Sequence, residues 1–451
     1  MNVAHIFLIF FGAASLSLIA FGGAHWDDYI WDTAPLLLFF ALPALLLLIC
    51  AVLLLRKKHS EQINFILLLL SVGFSIFLFE VVLQFIQQPA WLLGGKDIRT
   101  HLEAVRDERK VDPLTVPSLN PTLFLNHPLE IEGKQVVPLS GISNVRTVFC
   151  NETGDGWESY RSDRFGFRNP DSAWDSKEPL TLILGDSYTH GFCMPDGFLY
   201  PDLIREKLPN TINLGINGNG PLLALASARE YASEHPVEHM IWSMYEGNDV
   251  EDLSQRINHP ILKNYLLDPS YRQNLILFQP QLDREMKALV ERVLSGHMEL
   301  GALGSMTQAS GGVRLALTLW KTRHLLGLSD LKREWKLHRF NEEVSSKQLL
   351  DSLKTILWGM KTFAQGKKAT FTVVYIPAHR NFSHHISHPY RKDVMGLFQE
   401  LEIDVVDLLP VLQGYDDPLS LYSLRRDGHF TKEGNALVAQ KVLAHLKTLG
   451  A

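Results

Sequence analysis

The stretch LILGDSYTHG, residues 182–191, ends an apolar run in Gly-Asp-Ser and then turns polar. Its first residues belong to TLIL (181–184), a short β-prone run of the kind that a parallel sheet buries on both faces. Ser187 falls just past the carboxyl end of that predicted strand, bracketed by Gly185 and Gly191, where the backbone is free to turn sharply. A helix starting nearby would turn its first N–H groups toward negative charge. A serine so placed suits a nucleophile, provided that a base takes its proton and donors receive the oxyanion.

The same period recurs downstream. TINL (211–214), MIWSMY (240–245), FTVVYI (371–376) and IDVVDL (403–408) read as strands. Between them, helical patterns run over 221–234 and 347–365, and another follows over 433–449; the first opens on Pro221 at a first helical position. Alternating strands and helices predict an α/β fold, a parallel sheet with helices on both faces and ligands beyond the strands' carboxyl ends. Residues 253–346 interrupt the alternation with amphipathic stretches broken at GALGSMTQASGG, read as an inserted helical subdomain, either a lid or a packing insert. Residues 88–144 read as a connector, and the catalytic-type domain as 145–451.

The amino-terminal 87 residues differ in kind. Three apolar runs, 3–23, 34–55 and 63–86, each match the ~20 residues that a transmembrane helix needs. The first alternatively reads as a signal peptide, although its MNVAH leader lacks the Lys or Arg of a typical n-region. Arg56, Lys57 and Lys58 mark the loop between the second and third runs as cytoplasmic, which leaves residues 88–451 outside under either reading. Glu80 in the third run is either a functional intramembrane carboxylate or a group that snorkels or pairs with a neighbouring helix. Outside the membrane, Cys150 and Cys193 lie in an oxidising setting, either bridged or as two free buried thiols. The net charge of −6 gives no argument for nucleic-acid binding.

Partners for Ser187 are found after the other strands. NLGINGNG (213–220) offers Gly218 as a backbone donor, with Gly220 as second choice; YEGND (245–249) offers the Asn248 amide. DGHFTKEG (427–434) places Asp427 and His429 before a helix that Thr431 is placed to cap. Each motif alone is weak, but their ordered occurrence after successive strands is specific. Together with LGDSYTHG these blocks resemble the SGNH hydrolases, or GDSL-type esterases, over residues 163–451. The resemblance implies a flavodoxin-like three-layer α/β/α sandwich, here preceded by transmembrane helices, and no cofactor. It implies Ser187 as nucleophile, His429 as base, Asp427 as its orienting acid, and an oxyanion hole from the Ser187 amide, the Gly218 amide and the Asn248 side chain. One departure stands out: the family often spaces its last pair Asp-x-x-His, and here it is Asp-x-His.

Other polar clusters read as structural. His379, His384, His385 and His388 form a polar loop lacking metal-ligand spacing. His190 is placed either to line the pocket or to pack, and Asp163, Arg164 and Arg168 either anchor a turn or form solvated ion pairs. The leading expectation is a multi-pass protein of an inner, cytoplasmic membrane, its domain periplasmic, cleaving an O-acyl ester on a small molecule or envelope glycan. The alternatives are an O-acyltransferase working with a membrane protein partner, and a non-catalytic tethered scaffold. Among molecular partners, membrane lipid around the amino-terminal helices is expected and nucleic acid is not.

Overall fold

The computed structural model describes residues 3–24, 37–56, 58–85, 97, 99–296, 346–383, 387–425 and 428–450. Contacts divide the chain into two units, of which the first comprises the described residues from Val3 to Phe85. In it, helices α1 (Val3–Ala24), α2 (Leu42–Arg56) and α3 (His59–Phe85) enclose a small core of Ala4, Leu8, Cys50 and Ile66. Phe10, Leu55 and Phe74 point outward and are more than half exposed. Within α1 and α3, Val3–Ala20 and His59–Val82 are long and apolar enough to cross a membrane, whereas the helical stretch Leu42–Arg56 is shorter. Glu80 is buried.

The second unit is built from the amino-terminal side upward. Helix α4 (His101–Glu108) opens with a capping box, Thr100 accepting from the Glu103 amide while the Glu103 carboxylate accepts from the Thr100 amide. A small sheet follows, with β2 (Arg146–Cys150) at its centre between β1 (Val116–Pro117) and β3 (Glu158–Arg161). The sequence suggests residues 88–144 as a connector, but from residue 99 on they pack Leu119, Leu123, Phe124, Val137 and Leu139 into the principal apolar core. These apolar residues follow no helical or strand period because residues 109–144 run largely as turns and short elements, so periodicity does not reveal their burial.

The main sheet contains β4 (Leu180–Leu184), β5 (Thr211–Asn213), β6 (Val237–Tyr245), β7 (Thr370–Ile376) and β8 (Asp404–Asp407), all parallel, in the order β5-β4-β6-β7-β8. That is the flavodoxin-like order. Leu182 sits opposite Ile212 on one side and Met240 on the other, which fixes the register. Strict alternation sends Leu182, Leu184, Met240, Trp242 and Val373 to one face and Ile183, Ile241, Val374 and Ile376 to the other. Helices α7 (Pro221–Tyr231) and α10 (Ser346–Gly366) cover the first face; α12 (Lys432–Thr448) covers the second. The result is the three-layer α/β/α sandwich expected from the sequence. Thr431 caps α12, its hydroxyl accepting from the Gly434 amide at 3.3 Å.

A buried histidine ties the accessory layer down. His101 Nε2 donates to the Val148 carbonyl at 2.6 Å, and its ring stacks on Trp157 at 4.8 Å. Burial lowers the pKa of His101 to about 4, despite the carbonyl partner. An unfolded chain takes up this proton below about pH 6.5, so His101 withdraws stability progressively as pH falls from there toward 4. Its full contribution is on the order of 3 kcal/mol. Between pH 7 and 4.5, chemical denaturation is expected to show wild type losing about 2 kcal/mol more than His101→Gln. Parallel pH curves would overturn that assignment.

Candidate active site

Strand β4 delivers the chain to Gly185, whose φ of +154° is open to glycine, and a Cβ there would strike Thr189 and the Ser243 carbonyl. The turn ends in the single helical turn α5 (Ser187–His190). Asp186 caps it by accepting from the Tyr188 amide at 3.0 Å. Ser187 is therefore fixed at the first helical position directly beyond the sheet edge.

His429 reaches it from the segment before α12. Its Nδ1 lies 2.7 Å from Glu152 Oε1, and its Nε2 lies 2.8 Å from Ser187 Oγ. The carboxylate accepts, so Nδ1 carries the hydrogen and Nε2 receives the serine hydroxyl. Glu152 Oε2 also accepts from Ser423 Oγ at 2.6 Å and from the His429 amide at 3.3 Å. The His429 carbonyl in turn accepts from the Ser423 amide at 2.8 Å. Both side chains are about 95% buried, at 6% and 5% exposure, which strengthens the charge-assisted bond between them. The imidazole lies between aromatic rings, Phe192 at 4.5 Å and Tyr188 at 5.0 Å, and Tyr188 Oη donates to the Gly428 carbonyl at 2.9 Å.

Asp427 lies outside the described residues, as do His384 and His385. The carboxylate that meets Nδ1 belongs to Glu152, 277 residues from His429 in sequence, on the loop between β2 and β3. Sequence reasoning missed it. The signal that pointed there was Cys150: a bridge to Cys193 brings residue 152 beside the loop after Ser187. That bridge is present in the structure.

Adjacent strands β5, β4 and β6 run parallel, so the segments leaving their carboxyl ends emerge side by side. These carry Gly218, Ser187 and Asn248. Gly218 has φ +79°, where a side chain would be strained. Its peptide segment is gripped twice: the Asn217 amide donates to His190 Nδ1 at 3.1 Å, and Arg256 Nη2 donates to the Gly218 carbonyl at 2.8 Å. Gly220 is pressed against Arg256, with no room for a Cβ beside its guanidinium. Asn248 Oδ1 is buried without a hydrogen-bond partner among the described residues.

Two carboxyl groups are buried behind Ser187. Desolvation raises the Asp186 pKa to about 6, opposed by the bond from the Tyr188 amide and by His429. Asp249 is raised well above the usual carboxylate range, first by burial and then by Asp186. Burial lowers His190 to about 3, with Arg168 adding to the effect; the ring is neutral, so Nε2–H donates to Tyr160 Oη at 3.1 Å. His190 is thus a packed support of the 217–218 segment.

The upstream polar residues also divide between roles. Asp163 is a buried hub that accepts from Trp174, Asn169, Phe165 and Phe167. Arg168 is buried between Phe149 and Tyr160 and donates to the carbonyls of Gly191 and Met194, pinning the segment after Ser187. Arg164 makes a half-exposed pair with Asp171. His388 faces Glu251 at 3.0 Å, and no cluster of metal-ligating side chains occurs among the described residues. A cavity of about 570 Å³, lined by Arg161, Arg168, Asp171 and Arg205 among others, does not include Ser187 or His429.

No family model matches the chain, and no curated protein matches it. Among solved structures, the chain is similar to an esterase of two domains active on acetylated mannans, at 11% identity and TM-score 0.33, covering 62% of this chain and 51% of that one. It is similar to a member of the lipolytic protein G-D-S-L family from Veillonella parvula, at 12% identity and TM-score 0.30, covering 59% and 97%. It is also similar to the psychrotrophic esterase EstA from a Pseudoalteromonas species, at 12% identity and TM-score 0.28, covering 60% and 98%.

His190→Leu removes the acceptor for the half-buried Asn217 amide and the donor to Tyr160. Each lost hydrogen bond costs about 0.5–1.5 kcal/mol, and the denaturation midpoint is expected to fall accordingly. An unchanged midpoint would show that the 217–218 segment does not rely on this histidine.

Proposed function

We propose that this chain is a membrane-anchored serine esterase that works through an acyl-serine intermediate. The observation that carries the reading is the continuous hydrogen-bonded chain from Glu152 through His429 to Ser187. His429 Nε2 takes the Ser187 proton as Oγ attacks an ester carbonyl. Glu152 holds the ring in the required tautomer and faces the imidazolium as it forms. We assign the oxyanion to the amides of Ser187 and Gly218 and the side-chain amide of Asn248. His429 then returns the proton to the departing alcohol, and water, activated by the same imidazole, releases the acid and frees the serine.

In this assignment the orienting acid is Glu152 rather than Asp427. The reading is supported by the short contact at Nδ1 and by the burial of both partners. The substrate to try first is an O-acylated glycan. The cationic loop at Arg56–Lys58 supports placing residues 88–451 on the extracytoplasmic side, and the Cys150–Cys193 bridge is consistent with an oxidising compartment.

The full chain in detergent, assayed on p-nitrophenyl acetate, tests these roles. Ser187→Ala is expected to lose hydrolysis and labelling by a fluorophosphonate; undiminished turnover would remove Ser187 as nucleophile. Glu152→Gln is expected to lower kcat by about 10²–10⁴-fold, whereas Asp427→Asn stays within threefold of wild type. The reverse ranking would return the acid to Asp427. Asn248→Ala is expected to cost about 10²–10³ in kcat, the usual loss for one oxyanion donor; a change confined to KM would count against that role.

A further inference from the structure

Glu152 sits on the loop between β2 and β3, in a small sheet that shares no strand with the main one. Its side chain nevertheless has to meet a histidine carried by the main domain's last segment. The hydrogen bonds on the far side of this loop lead away from His429. Asn151 Nδ2 donates to the Asp97 carbonyl at 2.8 Å, and the Asp97 amide donates to the Gly154 carbonyl at 2.6 Å. On the near side stands the disulfide from Cys150, the last residue of β2, to Cys193, six residues after Ser187.

Cys193 does more than close a ring. Its sulfur lies 3.0 Å from the Glu152 amide, which donates to it. Its neighbour Phe192 packs on the His429 ring at 4.5 Å. Phe149, Cys150, Tyr160, Phe192 and Cys193 form one small apolar cluster, so the bridge and the packing join the same two loops. The backbone of Cys193 is left-handed at φ +57°, a conformation uncommon for residues other than glycine and one that surrounding constraints must hold.

We infer that the Cys150–Cys193 disulfide is a positioning element of the active site: it holds the Glu152 carboxylate against His429, and opening it switches the enzyme to a low-activity state. The inference rests on the esterase reading above. Cys193 is half-buried and Cys150 buried, so a small thiol enters at Cys193. A dithiol such as dithiothreitol supplies two electrons. Its thiolate attacks the Cys193 sulfur, the S–S bond breaks, and Cys150 leaves and takes up a proton. The second reductant thiol then displaces Cys193, which is protonated in turn, and the reductant departs as a cyclic disulfide. Oxidised glutathione reverses the exchange, taking up the two electrons as two molecules of reduced glutathione.

With the bridge open, Cys193 is released from its left-handed backbone and the Glu152 amide loses a fixed acceptor. Among the described residues, the carboxylate then keeps its own side-chain contacts, and its loop keeps the anchors directed toward Asp97. Ser187 and His429 stay on the main sheet's loops. The defect therefore falls on turnover and spares substrate binding.

The test uses the full chain in detergent with p-nitrophenyl acetate, before and after treatment with dithiothreitol. Reduction is expected to lower kcat at least 30-fold with KM within twofold, and oxidised glutathione to restore it. Cys150→Ala/Cys193→Ala is expected to show the same loss and no response to reductant. In Glu152→Gln, where the acid is already gone, reduction is expected to change kcat by less than twofold. Retention of more than half the activity by the reduced wild type overturns the inference, as does an equal loss in wild type and Glu152→Gln, which would mark the bridge as general scaffolding. In either case, an inactive Ser187→Ala leaves the esterase reading standing. An active Ser187→Ala removes both.

Discussion

The charge-assisted hydrogen bond from His429 Nδ1 to Glu152 is the interaction on which the arrangement depends. A serine hydroxyl is a poor nucleophile at neutral pH, and an imidazole activates it only when the nitrogen facing it is unprotonated. The carboxylate decides that by taking the hydrogen at the other nitrogen. Its second oxygen receives Ser423 and the His429 amide, so the acid orients the ring and also holds the loop from which the ring projects. A carboxylate this buried is tolerable only with such a set of donors.

The rest of the domain supplies the fixed points between which that bond is made. Period-2 alternation along β4, β6 and β7 builds a core on each face of the sheet and leaves the carboxyl edge for polar loops. The order β5-β4-β6 sets Gly218, Ser187 and Asn248 on neighbouring strand exits. Arg256 and His190 then brace the Gly218 segment through its backbone. The carboxyl groups of Asp186 and Asp249 are buried behind the serine, and desolvation raises the pKa of both. His429 opposes the rise at Asp186, against the larger effect of burial.

Much of this was legible in the chain because it follows local rules. The strands announced themselves as short apolar runs, the nucleophile turn as Gly-Asp-Ser after a strand, and the last helix by its Thr431 cap. The contribution of residues 97–161 was hidden for a different reason. Leu119, Leu123, Val137 and Leu139 are buried in the core, but they sit in turns and short segments that have no period to read. Glu152 was hidden because its partner is 277 residues away, and the family resemblance put Asp427, two residues before His429, in that role. Only a covalent tie between Cys150 and Cys193 gives the sequence a long-range distance, and that tie points to the right neighbourhood without selecting the residue.

Under the proposed roles the orienting acid comes from a separate layer, and that has a physical consequence. When acid and base share one loop, they shift together and their bond survives small movements of that loop. Here the base belongs to the segment before α12 and the acid to the β2–β3 loop, so any relative displacement of the two layers acts directly on the hydrogen bond. A bond of this kind needs rigid supports on both sides, and the structure provides them: His101 and Trp157 stacked behind β2, Asp97 gripping the acid's loop, Arg168 pinning the segment after Ser187, and a disulfide across the gap. The chain-entropy model values a bridge across this sequence separation of 43 residues at about 4 kcal/mol, more than one neutral hydrogen bond contributes. The accessory layer is therefore part of the machinery that sets the proton on His429.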